Sequence, residues 1–156
     1  MRREISNNDD VIDSRDIIER LEELQDERQS LIDAVEEAHD ARNDYEGDDS
    51  ESIAALDSEI TYHNDALQDW DGENGEELKA LTALEADASS ADDWTYGATL
   101  IRDDYFTEYV KEMLEDCGDL PRDLPSYIEI DWAATADNIR QDYFSVDFDG
   151  VTYWVR

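Results

Sequence analysis

Residues 16–46 read DIIERLEELQDERQSLIDAVEEAHDARNDYE, and this stretch decides the fold. Alternating steps of four and three from residue 17 reach nine positions: Ile17, Leu21, Leu24, Arg28, Leu31, Val35, Ala38, Arg42 and Tyr45. All of them except the two arginines are apolar or aromatic. Almost every residue between these positions is charged or polar. A narrow apolar seam with this period predicts an amphipathic helix that packs by coiled-coil geometry.

A second segment repeats the pattern after a short interruption. Its seam consists of Ile53, Leu56, Ile60, His63, Leu67 and Trp70. The interruption is EGDDSES, residues 46–52, which carries a glycine and helix-capping residues. Two seams joined by a short turn predict an antiparallel helical hairpin.

The segments around the hairpin are predicted from composition and capping residues. Residues 1–12 are expected to form a flexible lead-in, with Asp13 or Ser14 as the cap of the first helix. The sequence DGENGEE at 71–77 predicts a loop, with a third helix over about 75–86 behind it. The predicted division is therefore a hairpin plus third helix over 13–86, a polar linker over 87–97, and a second domain over 98–156.

The second domain is predicted to mix helices and strands. A fourth helix is expected over 98–117, because apolar residues recur there on one face. Pro121 and Pro125 exclude a helix in the next segment. A short capped helix should then run from Asp131 to about Arg140, followed by the alternating FSVDFDGVTYWVR, whose Asp-Gly pair predicts a β-hairpin. The fold class is thus mainly α, with a small α+β C-terminal part.

The charge of the chain is strongly one-sided. It has 45 acidic and 12 basic residues, a net charge of -33, while 40% of its residues are hydrophobic. The apolar content suffices for a core. The charge predicts that the protein repels nucleic acid and anionic membranes and attracts basic surfaces. A helix over 16–46 would be about 46 Å long, and duplex DNA of that length carries roughly 27 phosphates. Residues 1–99 carry a net charge of -24, a comparable density.

The sequence offers little for catalysis or metal binding. One cysteine, Cys117, and two histidines, His39 and His63, provide no disulfide and no zinc site. His63 lies on the seam and is expected to be packed, whereas His39 lies beside the seam and is expected to be exposed. There is no phosphate-binding glycine loop and no Ser-His-Asp set. We therefore predict a protein that is not an enzyme and needs no cofactor or metal.

Rows of carboxylates on the helix faces away from the seam are the candidate site. Like charges at a spacing of three or four residues destabilise a helix, so such rows call for a reason beyond stability. We predict phosphate-mimicking roles for Glu19, Glu23, Asp26, Asp33, Glu37, Asp40 and Asp44 on the first helix, and for Asp104, Glu108, Glu112 and Glu115 on the fourth. The C-terminal aromatics are expected to build a core or a homodimer face; they are Tyr105, Phe106, Tyr109, Trp132, Tyr153 and Trp154.

The last third of the chain resembles a known family. The stretch DDYFTEYVKEMLEDCGDLPRDLPSYIEIDWAATADNIRQDYFSVDFDGVTYWV is similar to the C-terminal part of the ArdA antirestriction proteins. The shared pattern is an aromatic-acidic helix, a glycine, a Leu-Pro segment, Tyr127-Ile128 near Asp131-Trp132, a short helix and a terminal hairpin. The resemblance implies an acidic, elongated, mostly dimeric mimic of bent duplex DNA that occupies the DNA site of type I restriction-modification enzymes. The first 95 residues show no counterpart of the family's N-terminal domains.

Together these patterns predict a DNA-mimic inhibitor from a phage or mobile element. Its expected partner is the basic DNA-binding groove of a restriction-modification or CRISPR complex, in the cytoplasm of a bacterial host. No run of about 18 apolar residues and no signal peptide is present, so we expect a soluble protein without direct nucleic-acid or membrane binding. Three alternatives remain open: a structural or adaptor coiled coil, an acidic decoy for another DNA-binding protein, and salt adaptation, since Asp outnumbers Glu and lysines are few.

Overall fold

The computed structural model describes residues 4–156, and helices dominate it. The helices are α1 Ser14–Asp44, α2 Ser50–Ala88, α3 Trp94–Gly97, α4 Phe106–Asp116 and α5 Trp132–Arg140. The strands are β1 Val11–Asp13, β2 Thr99–Arg102, β3 Phe144–Phe148 and β4 Val151–Val155, and a 3-10 turn, Asp103–Tyr105, precedes α4. The predicted class, mainly α with a small α+β C-terminal part, is confirmed.

The chain forms two compact units that divide at different places from those predicted. Residues 19–80 form one unit, the hairpin unit, and residues 4–18 with 81–156 form the other, the sheet unit. The division falls within α1 and α2 and not within the predicted linker at 87–97. That linker instead contains the end of α2 and the short helix α3.

The hairpin unit is an antiparallel pair of helices, as the two seams predict. Arginines of α1 bind carboxylates of α2 in opposite sequence order: Arg20 pairs with Glu77, Arg28 with Asp71, and Arg42 with Asp57. Seam residues turn inward along α1, with Leu21 and Leu24 fully buried. His39 is exposed and His63 half-buried, in agreement with their predicted positions.

The predicted loop at 71–77 and the separate third helix are wrong, because α2 is continuous through both. Two glycines in a helix interior cost about 1 kcal/mol each relative to alanine. Tertiary contacts hold the two ends of this segment in place. Asp71 and Glu77, at the two ends of the segment, are both held to α1 by arginines in two-pronged ion pairs.

The sheet unit is built on a four-stranded antiparallel sheet with the order β1-β2-β4-β3. The predicted hairpin around Asp149-Gly150 is confirmed: β3 pairs with β4, and Asp149 and Gly150 adopt positive φ values of 50° and 86°. Positive φ at both positions matches the hairpin turn that Asp-Gly favours. The hairpin thus forms one half of the sheet.

The other half of the sheet consists of strands that the sequence did not reveal. Residues 99–102, predicted as the start of a long helix, form β2, whose Leu100 and Ile101 are both fully buried. β2 pairs with β1 on one side and with β4 on the other. Part of the predicted flexible lead-in is therefore an edge strand, with Ile12 only 2% exposed. Residues 1–3 of that lead-in lie outside the described residues.

Helices α4 and α5 cover one face of this sheet. Their core cluster joins Ile101 of β2 to Phe106 and Val110 of α4 and Ala136 of α5, all fully buried. Trp154 of β4, which pairs with Ile101, packs against the same cluster. Side chains alternate along a strand, so Leu100 and the buried Tyr153 point to the opposite face.

Hydrogen bonds join the N-terminal segment of this unit to distant residues of the same unit. Tyr153 donates its hydroxyl proton to the Asp9 carbonyl at 2.5 Å, and burial raises the pKa of Tyr153 to about 12. The buried Ser14 hydroxyl donates to the Trp94 carbonyl at 2.6 Å and accepts the Ala98 backbone N–H at 2.7 Å. At α5 the predicted cap is confirmed, since the Asp131 carboxylate accepts the Ala134 N–H.

Candidate anionic interaction surface

Seven predicted carboxylates form a single ridge along α1, opposite its buried seam. In the heptad that places Leu21 and Arg28 on the seam, the outermost position is occupied by an acid in four successive repeats. These outermost acids are Glu19, Asp26, Asp33 and Asp40. The neighbouring ridge position carries Glu23, Glu37 and Asp44. We call these seven residues the α1 ridge. Six are exposed and Glu23 is half-buried.

The way the hairpin is held together leaves this ridge unneutralised. All three arginine pairs that join the helices take the arginine from α1 and the carboxylate from α2. Three of the four arginines of α1 therefore bind α2 and the fourth, Arg15, binds Asp13, while most acids of α1 project to the other side. Among residues 4–156, Asp26, Asp40 and Asp44 have no cationic partner. Of the ridge residues, Glu23 lies 3.3 Å from the Arg20 guanidinium.

The interface ion pair between Arg20 and Glu77 is partly shielded from water, unlike most of the ridge. Arg20 and Glu77 are 20% and 30% exposed, and Glu77 binds both the Nε and Nη2 groups of Arg20 at 2.7 and 3.0 Å. These hydrogen bonds raise the pKa of Arg20. In the second pair, the hydrogen bond from Arg28 stabilises the ionised form of Asp71 and so lowers the pKa of that carboxyl. The hairpin therefore depends on ionised carboxylates at its interface as well as on its surface.

The density of acids along α1 is close to that of phosphates along one DNA strand. Between residues 19 and 44, α1 holds ten acidic residues. At 1.5 Å per residue this is one carboxylate per about 3.9 Å of helix rise. One strand of duplex DNA carries one phosphate per 3.4 Å of axis. The match holds for all faces of α1 taken together, whereas the seven residues of the α1 ridge alone are spaced at about 5.6 Å of helix rise.

The outer face of α2 is different in character. Its seam, continued from Ile53, puts Ser58, Asp65, Gly72 and Lys79 in the outermost position after Glu51. The hydroxyls of Ser58 and Thr61 donate to carbonyls of their own helix. The hairpin unit therefore presents one continuous acidic ridge on α1, whereas the exposed acids of α2, such as Asp65 and Asp69, are interrupted by uncharged residues and by Lys79.

The second predicted set, near α4, is less uniform. Asp104 lies in the 3-10 turn and not in the predicted helix, and it binds Arg102 at 2.9 Å. Glu112 accepts a hydrogen bond from the Tyr105 hydroxyl at 3.0 Å, which raises the pKa of Tyr105. Glu108 and Glu115 are exposed on α4 without such contacts among residues 4–156. Only part of this set is therefore available to a partner.

Three cations of the sheet unit lie over aromatic rings of the same unit. Arg140 stacks over Phe106 and Trp154, with 4.7 and 5.2 Å between its guanidinium carbon and the ring centroids. Lys111 lies over Trp132, and Arg156 over Tyr143. By contrast, 38 of the 45 acidic residues are exposed and none is buried, so the surface of each unit is dominated by carboxylates.

The predicted aromatic residues mostly contribute to the core. Phe106 and Tyr153 are fully buried, and Phe106 meets Tyr143 edge to face at 5.2 Å. Tyr105, Tyr109 and Trp154 pack against the same cluster from its edge. Trp132 is half-buried. A role of these residues in a homodimer stays a prediction.

No family model, curated protein or solved structure matches this chain. Within residues 4–156, no three His, Cys, Asp or Glu side chains converge in a way that could hold a metal ion. None of the helices in that range combines the length and apolar character needed to cross a bilayer.

The predicted carboxylates were the easier part of this surface to find from sequence. What sequence reasoning missed is that arginines of α1 form ion pairs with carboxylates of α2 and so do not neutralise most acids of the ridge. A signal for it existed, because Arg28 and Arg42 occupy seam positions where an apolar residue is expected. A buried or half-buried arginine needs a carboxylate partner, and antiparallel packing brings Asp71 and Asp57 opposite them.

Proposed function

We propose that this protein is a non-enzymatic inhibitor that mimics DNA and occupies the basic DNA-binding groove of a host defence complex. The target would be a restriction-modification or a CRISPR complex of a bacterial host. The α1 ridge would supply the phosphate surrogates, with Glu108 and Glu115 of α4 as a second contact. The observation that carries the proposal is the α1 ridge itself, of which only Glu23 contacts an arginine among residues 4–156, since Arg20, Arg28 and Arg42 bind carboxylates of α2.

Two further features support this class. The axial density of acids on α1, about one per 3.9 Å, is close to that of phosphates on one strand. The likeness of residues 103–155 to the C-terminal part of ArdA proteins favours an antirestriction role. Such a complex would form quickly by long-range attraction and weaken as salt screens the charges.

The adaptor alternative has less support in the hairpin unit. An adaptor surface would be expected to expose an apolar patch of several hundred Å². Within residues 19–80, Tyr62 is the large hydrophobic residue with high exposure, at 70%, and the outer residues around it are small or polar. The described hairpin thus offers a charged surface more readily than an apolar one.

The experiment is an affinity pulldown from bacterial lysate at low and high salt, with mass spectrometry of the bound proteins and competition by duplex DNA. Two variants make it specific. A ridge variant neutralises the four outermost acids: Glu19→Gln, Asp26→Asn, Asp33→Asn and Asp40→Asn. A control variant removes the same charge from α2: Glu51→Gln, Asp65→Asn, Asp69→Asn and Glu73→Gln.

The proposal expects the native chain and the α2 control to capture subunits of a DNA-binding defence complex that duplex DNA competes off. The ridge variant should capture at least tenfold less, because four phosphate contacts are gone. Single substitutions should have small effects, since the binding energy is spread over many weak pairs. Equal capture by the ridge variant and the control would reject the ridge as the contact. Recovery of no DNA-binding protein at low salt would reject mimicry itself.

A further inference from the structure

A short segment in the middle of α2 has a residue composition that does not suit a helix. Residues 72–75 read GENG, and the structure nevertheless places them in helix. Glycine is among the poorest helix-forming residues, and asparagine ranks well below alanine. No other described stretch of α1 or α2 contains a glycine within a helix.

Packing does not explain the two glycines. A Cβ added at Gly72 or Gly75 would meet no heavy atom within 4 Å. Gly97 shows the opposite case, because its φ of 125° and the Arg15 Nε atom 3.1 Å from an added Cβ both favour glycine. At 72 and 75 an alanine would fit and would make a better helix. What glycine contributes at these positions is therefore backbone freedom.

The side chain of Asn74 weakens the same turn. Its Nδ2 group donates to the Trp70 carbonyl at 3.3 Å. That carbonyl is also the acceptor for the backbone N–H of Asn74 in a regular helix. A side-chain donor at this position offers the carbonyl a partner that does not require helical backbone.

Contacts on both sides of the segment would survive its opening. Asp71 is bound to Arg28 immediately before it, and Glu77 to Arg20 two residues after it. Between these two ion pairs lie only residues 72–76. We infer that residues 72–75 are a built-in point of local opening, at which α2 unwinds while the hairpin stays assembled.

The opposite helix has no such point. From Ser14 to Asp44, α1 contains neither glycine nor proline. Opening of α2 would let the hairpin unit bend while the acidic ridge on α1 keeps its spacing. The opening is a property of the free chain and does not depend on the proposed function.

Hydrogen–deuterium exchange of the full chain, followed by mass spectrometry, tests this inference. The amides of residues 72–79 should exchange at least tenfold faster than those of residues 61–69 in the same helix. Gly72→Ala and Gly75→Ala should each slow exchange in 72–79 by about fivefold, and together by about 25-fold.

Two matched variants show that the effect is local. Gln29→Ala, on the exposed face of α1, should leave the ratio of exchange between the two segments of α2 unchanged. Ala55→Gly should create a new fast segment around residue 55 without altering residues 72–79. The inference is overturned if residues 72–79 of the native chain exchange as slowly as residues 61–69. It is equally overturned if the double alanine variant leaves the local exchange rate unchanged.

Discussion

Neutralising four acids of the α1 ridge should make the protein more stable while it weakens the proposed binding at least tenfold. The four outermost acids, Glu19, Asp26, Asp33 and Asp40, each lie three or four residues from other acids of α1. Replacing them with amides removes nine such like-charge pairs between residues 19 and 44. Each pair destabilises a helix by roughly 0.2–0.5 kcal/mol.

The expected gain follows from these pairs, with allowance for exposure. Nine pairs at the lower end of the range give about 2 kcal/mol, and screening by water and salt favours the lower end. For a chain of this size, about 2 kcal/mol corresponds to a rise in Tm of about 4–8 °C. The α2 control, which neutralises Glu51, Asp65, Asp69 and Glu73, removes four like-charge pairs. It should gain less than half as much.

Thermal unfolding followed by circular dichroism at 222 nm measures this difference. The ridge variant should melt above both the native chain and the α2 control at about 20 mM salt. At 1 M salt, where the screening length falls to about 3 Å, the three proteins should converge. A ridge variant that melts no higher than the control at low salt would refute the reasoning. In that case the ridge acids would not repel one another, and their row would need another explanation.

Three further predictions concern contacts within the hairpin unit and within the sheet unit. Arg28 lowers the pKa of Asp71, so this carboxyl stabilises the fold above about pH 4 and loses that contribution as the pH falls. In Asp71→Asn the free energy of unfolding, measured by urea titration, should therefore decrease less between pH 5 and pH 2 than in the native chain. Phe106→Ala should cost about 3–5 kcal/mol in the same assay, since the ring is fully buried, and a loss under 1 kcal/mol would contradict its core position. Ser14→Ala should cost about 1–3 kcal/mol because it leaves a buried N–H and a carbonyl unpaired, whereas Ser30→Ala, on the exposed face of α1, should change stability by less than about 0.5 kcal/mol.

A row of acids that destabilises its own helix is the property that separates mimicry from simple hydration. Salt adaptation needs carboxylates on the surface, but it does not need them in register on one ridge. Here every outermost position from Glu19 to Asp40 is acidic, while the corresponding positions of α2 include Ser58, Gly72 and Lys79. The one-sided placement is what the binding experiment with matched variants tests.

The C-terminal part shows where local sequence signals compete with strand pairing. Residues 99–102 directly precede a segment whose apolar residues recur with helical spacing. This spacing by itself predicts that the helix begins before residue 99. They are nevertheless a central strand, because Ile101 and Leu100 are buried on opposite faces between β1 and β4. Residues 11–13 carry no strand signal of their own, since three residues are too few for a period and their partner is almost ninety residues away.

The sequence by itself determined the features whose physical cause is local. The heptad from Ile17 to Tyr45 specified a seam, Asp149-Gly150 specified a turn with positive φ, and Asp131 specified a helix cap. The identity of the ridge acids also followed from period, because residues opposite a seam are exposed in any helix that buries it.

Only the tertiary structure decided the features that depend on distant partners. It carried α2 through the glycine-containing segment at 72–75, whose two ends are held against α1 by the ion pairs of Asp71 and Glu77. It also decided that Arg20, Arg28 and Arg42 form ion pairs with carboxylates of α2. Most acids of the α1 ridge are therefore not neutralised by these arginines. Differences in helix propensity amount to tenths of a kcal/mol to about 1 kcal/mol per residue. The stabilisation from each ion pair across the hairpin is of the same magnitude. Where the two disagree, the partner brought close by folding decides the outcome.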